Sequence, residues 1–126
     1  MDISRLKNNE QYFIDYVSAH EVTMWLKESP EFNLHIDEMY FGDVFGNPIF
    51  NNKPWVGVTR DYQEFTGGWK DASEIEDIDE YIYDMLRYKD RERRTGWEET
   101  PEVFNLIIDF LTYAKETEQT VVVEVD

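Results

Sequence analysis

A strongly acidic chain that is also rich in aromatic residues has few ways to arrange itself. Asp and Glu number 28 against 12 Lys and Arg, a net charge of −16, yet 16% of the residues are Phe, Tyr or Trp. Acidic segments that stay disordered lack aromatics, because they bury nothing. This chain is therefore expected to fold, with a strongly negative surface. At 126 residues it can bury about two-thirds of its extended surface around one core, and reads as a single domain over 1–126.

Spacing along the chain points to an α+β fold. Behind a possible cap at Asn9, Tyr12, Phe13, Tyr16 and Val17 recur at helical intervals. Ser18 to Glu21 has the capping-box pattern, and Val22, Trp25 and Leu26 extend a stripe up to Ser29-Pro30. The expectation is an N-terminal helical region from Asn9 to Glu28, bent near Ser18. Leu34 and Ile36 then alternate with polar residues in a strand that can run to Phe41, with turns at Gly42 and around Gly46-Asn47-Pro48. Trp55 to Thr59 reads as a second strand, and the β-branched run from Thr120 to Val125 as a last one.

Two helices are expected in the C-terminal half. Ser73 and Glu76 form a capping box ahead of Ile75, Ile78, Ile82, Met85 and Leu86, an apolar face on an otherwise charged segment. Thr100-Pro101 opens the second, whose Val103, Phe104, Leu106, Ile107, Ile108, Phe110 and Leu111 cover nearly the whole circumference and require a central position. Thr66-Gly67-Gly68-Trp69 and Thr95-Gly96-Trp97 precede these helices in similar fashion, and aligning the tryptophans sets Glu74 against Glu102 and Ile75 against Val103. The fold class is thus α+β: an N-terminal helical region, a small mainly antiparallel sheet, two C-terminal helices and a final strand.

Function is constrained mainly by charge. Arg87, Lys89, Arg91, Arg93 and Arg94 hold five of the twelve basic residues; outside that run seven cations face 26 anions. Such a surface repels nucleic acid and anionic membrane and attracts basic proteins. Within the run, Asp90 and Glu92 dilute the charge, so it reads as a partner for the chain's own acids. Acids crowd the approach to the Ser73 helix and its first turns. That polarity also suits the helix dipole, so a solvated face is the plain alternative. With Tyr81 and Tyr83 among them, Glu74, Glu76, Asp77, Asp79, Glu80 and Asp84 make the candidate partner-binding surface, where aromatics anchor and acids steer. Tyr12, Tyr40 and other Tyr and Trp residues look too numerous for one small core and add to a binding reading.

No catalytic motif stands out. His35 and Asp37 could share a strand face, and His20 precedes Glu21, but two ligands fall short of a metal site. The glycines match no dinucleotide or phosphate loop, and there is no cysteine, hence no disulfide or thiolate site. No catalytic residue, metal or cofactor is assigned. MDISRLKNNEQ contains no apolar leader, and no apolar stretch can span a bilayer, so a cytoplasmic location is expected. The leading reading is an inhibitor or immunity-type protein that occludes a basic partner, such as a nuclease or other nucleic-acid-handling enzyme. The alternatives are a nucleic-acid mimic of the anti-restriction or anti-CRISPR type and a carboxylate- or metal-dependent enzyme.

Overall fold

Alternation of apolar residues, rather than helical spacing, organises the first third of the chain. The computed structural model describes residues 1–13, 20–45, 72–87 and 98–125. Its elements are a 3₁₀ turn at Ile3–Leu6, β1 (Asn9–Tyr12), β2 (Glu21–Leu26), β3 (Asn33–Asp37), α1 (Glu38–Phe45), β4 (Ser73–Glu74), α2 (Ile78–Arg87), α3 (Thr100–Glu116) and β5 (Val121–Val125). The α+β class holds, but the expected N-terminal helical region is replaced by strands at Asn9–Tyr12 and Glu21–Leu26, while Tyr16 and Val17 lie outside the described residues.

Residue 24 decides between the two readings. Val22, Trp25 and Leu26 fit one helix face, whereas Val22, Met24 and Leu26 fit one strand face. In β2 the latter three are buried and Glu21, Thr23 and Trp25 are half-buried. The neighbouring strand settles the choice, because Val22 lies opposite Ile36 and Met24 opposite Leu34. These cross-strand pairs bury both partners, a gain that a helix with no matching neighbour lacks. Ser18 lies outside the described residues, and Glu21 opens a strand instead of completing a capping box.

β3 ends at Asp37 and does not reach Phe41. The Asp37 Oδ1 accepts the Met39 N–H at 2.9 Å, so this carboxylate caps α1 at its start. Tyr40, Phe41 and Val44 then face the core, and Gly42 sits within the helix, not in a turn.

The sheet order is β1-β3-β2-β5-β4. Among the described strands β1 and β3 run parallel and the other three pairings are antiparallel, so the sheet they form is mainly antiparallel as expected. The last strand occupies an inner position, pairing Met24 with Val123 and Leu26 with Val121. At its N-terminal end the Glu28 carboxylate accepts from the Thr120 N–H (2.8 Å) and hydroxyl (2.9 Å), bonds that hold its pKa below the ordinary value.

α3 is the main helix of the core. Val103, Phe104, Leu106, Ile107, Phe110, Leu111 and Ala114 are buried, while Pro101, Glu102, Asn105, Lys115 and Glu116 form an exposed side. It packs against α1, α2 and the 3₁₀ turn. The buried Thr100 hydroxyl donates to the buried Asp43 at 2.5 Å, joining the start of α3 to α1, and Tyr113 stacks on Phe32 with centroids 4.8 Å apart.

α2 begins at Ile78, five residues later than expected. Ser73 and Glu74 pair with Val123 and Val122, and the Ile75 N–H donates to the Val121 carbonyl at 2.9 Å. The sheet edge thus claims the segment that a Ser73 cap would have started. The cap is Asp77, whose Oδ1 accepts the Glu80 N–H at 3.0 Å. The proposed alignment between the two C-terminal segments fails accordingly, since Glu74 and Ile75 lie at the sheet while Glu102 and Val103 are helical. The tryptophans on which it rests lie outside the described residues, as do Trp55 to Thr59, the turns from Gly46 to Pro54 and most of the basic run.

The strand reading of 21–26 makes opposite forecasts for adjacent residues. Met24→Ala should destabilise the protein by about 2–5 kcal/mol, as expected for a buried large side chain. Thr23→Ala should cost no more than about 1 kcal/mol, the worth of one side-chain hydrogen bond. Denaturant titrations of the two variants check this.

Candidate partner-binding surface

Helix α2 divides cleanly into two sides. At about 3.6 residues per turn, Ile78, Tyr81, Ile82 and Met85 point one way, and Asp79, Glu80, Tyr83, Leu86 and Arg87 the other. Tyr81 and Met85 are buried, and Ile78 and Ile82 pack partly against the core. On the outer side Tyr83 is 60% exposed and Leu86 53% exposed. The Arg87 guanidinium lies 5.9 Å from the centroid of the Tyr83 ring.

The eight candidate residues therefore do not form one continuous face. Tyr81 is 4% exposed and Asp84 fully buried, so neither presents itself to a partner. Tyr81 follows the inward apolar residues, one turn before Met85, and Asp84 is carried inward beside them. Asp77 is occupied as the cap. Glu74 belongs to β4, where the Lys27 Nζ reaches its Oε1 at 2.7 Å. Asp79 receives Lys115 Nζ from the last turn of α3 at 2.5 Å. Hydrogen bonding to these carboxylates raises the pKa of Lys27 and of Lys115. Both ion pairs are exposed, so they add little stability. Their effect is local, lowering the negative potential at Glu74 and at Asp79.

What remains outward is Glu76 and Asp79, with the half-buried Glu80, leading to Tyr83 and Leu86. Hydrophobicity alone places Leu86 on the inner apolar face. Its angular position, about 20° from Asp79 on the helical projection, is the available signal that it faces out. Tyr12 and Tyr40, counted among the excess aromatics, are buried and meet edge-on at 5.9 Å. Trp25, expected on the apolar stripe with Val22 and Leu26, is half-buried on the opposite sheet face, which carries Thr23 and His35.

His35 groups with other residues than the sequence suggested. His35 Nδ1 is in close contact with Glu21, across the β2–β3 pair, and its Nε2 lies 2.9 Å from Asn33 Oδ1. The Thr23 hydroxyl also donates to Glu21, at 3.2 Å. Asp37 stands directly opposite Glu21, its Oδ1 committed to capping α1 and its buried Oδ2 without a hydrogen bond. Among the described residues no three His, Asp or Glu are arranged to hold a metal ion. Likewise, no described helix is long and apolar enough to cross a membrane.

Because Asp77 fixes where α2 starts, Asp77→Ala should lower stability by about 0.5–2 kcal/mol, measured by thermal or denaturant unfolding. The same change at Glu76, which holds no cap bond, should cost less than about 0.5 kcal/mol.

No protein-family model, curated protein or solved structure is found to match this chain.

Proposed function

We propose that the chain is a small acidic binding protein of the cell interior, an inhibitor or immunity-type protein that occludes a basic, nuclease-like partner. The observation that carries this reading is the outward side of α2. Tyr83 and Leu86, two large side chains more than half exposed, stand about one and two turns beyond Asp79 and Glu80 on a helix anchored through Tyr81 and Met85. Interfaces use such pairs as anchors, while surrounding charge guides the approach. The net charge of −16 supplies a long-range field that draws in a cationic cleft. A nucleic-acid mimic would rely on carboxylates alone. The exposed Tyr83 and Leu86 favour a partner that also offers an apolar socket.

Charge and anchor act at different stages of binding, which separates their roles experimentally. Once the partner is isolated by co-purification, neutralising Glu76, Asp79 and Glu80 together should slow association. The effect should shrink as salt rises, since the Debye length falls to about 8 Å at physiological ionic strength. Tyr83→Ala should leave association nearly unchanged and speed dissociation by about tenfold or more. Surface-plasmon kinetics over a salt series reads both. Unchanged rates in both variants would reduce the acids to a solvated face and remove α2 from the interface.

A further inference from the structure

Away from α2, the 3₁₀ turn, β1 and the exposed side of α3 line an open surface pocket of about 390 Å³ formed by Arg5, Gln11, Tyr12, Glu102 and Asn105. Its volume lies at the low end of the range for small-molecule sites, roughly 300–1,000 Å³. Tyr12 is 4% exposed, and its hydroxyl donates to Glu102 Oε2 at 3.0 Å. Burial, with Glu102 adding to it, raises the pKa of this phenol, so it stays protonated and neutral. Its oxygen can still accept a hydrogen bond, as can the Glu102 carboxylate. Arg5 supplies the opposite charge. In a chain with 28 acids, no ion pair closes on Arg5 among the described residues.

We propose that this pocket binds a small zwitterion, a molecule carrying a carboxylate and an ammonium group. The carboxylate pairs with the Arg5 guanidinium, and the ammonium donates to Glu102 and the Tyr12 oxygen. The amides of Gln11 and Asn105 can donate to or accept from either end. Net charge supports the same choice. A simple anion meets the field of a chain at −16, and a simple cation meets Arg5. A neutral molecule with separated charges satisfies both walls. This site is independent of the proposed interface on α2.

The test is a titration of isotope-labelled full-length protein, followed by backbone amide NMR. The probes are alanine, γ-aminobutyrate and ε-aminocaproate, which differ in the spacing of their charges. N-acetylalanine and alaninamide, each with one charge, are the comparators. At least one zwitterion should produce saturable shifts at Gln11, Tyr12 and Asn105. Arg5→Gln and Glu102→Gln should each weaken it by about tenfold or more, as loss of a charge-assisted hydrogen bond requires, with the remaining spectrum unchanged. No saturable shift with any zwitterion, equal binding of a singly charged comparator, or wild-type affinity in either variant would overturn the proposal.

Discussion

Burial of one side of α3 against a single row of side chains on the sheet holds the described fold together. Val22, Met24 and Leu26 of β2, Leu34 and Ile36 of β3, and Val121 and Val123 of β5 join Val103, Phe104, Ile107, Phe110 and Leu111 in one core cluster. Each such side chain contributes about 1.5–3 kcal/mol when fully buried. The row exists only because the strands pair in a register that brings alternate residues to the same face, and a one-residue slip would turn every one of them outward. Segments distant in sequence depend on it: α1 is attached through Asp43 and Thr100, and α2 through Tyr81 and Met85.

That arrangement explains which sequence signals were readable. Apolar residues on α3 and the β-branched run at 121–125 admit one interpretation each, and both form the expected element, although α3 is buried on one side and not nearly all round. Residues 21–26 admit two, because Val22 and Leu26 suit a helix face and a strand face alike. The deciding partners, Leu34, Ile36, Val121 and Val123, lie far along the chain, where local spacing cannot register them. The same ambiguity displaced the start of α2. Ser-x-x-Glu at 73–76 and Asp-x-x-Glu at 77–80 are both capping patterns, and β5 chose between them by recruiting Ser73 and Glu74 as an edge strand.

At the candidate surface, composition identified the segment but not its orientation. The acids and tyrosines of 74–84 do cluster, yet Tyr81 and Asp84 turn inward while Tyr83 turns out with Leu86. Alternate assignment of two tyrosines only two residues apart follows from the 100° turn per residue of a helix. The two lysines beside the segment complicate the charge count further. Lys27 and Lys115 come from β2's end and α3's last turn, so their pairing with Glu74 and Asp79 is a tertiary property. A partner cation approaching Asp79 competes with Lys115 in place of meeting an unpaired acid.

On this account, one helix does two jobs, closing the core through its inner side and offering acids and apolar anchors on its outer side. Hydrogen exchange of the isolated complex, compared with the free protein, addresses that claim most directly, because it reports each segment without altering it. Slower exchange concentrated in Ile78–Arg87, with β2 and β3 unchanged, is the result the account predicts. Protection elsewhere, with α2 exchanging as it does in the free protein, would contradict it.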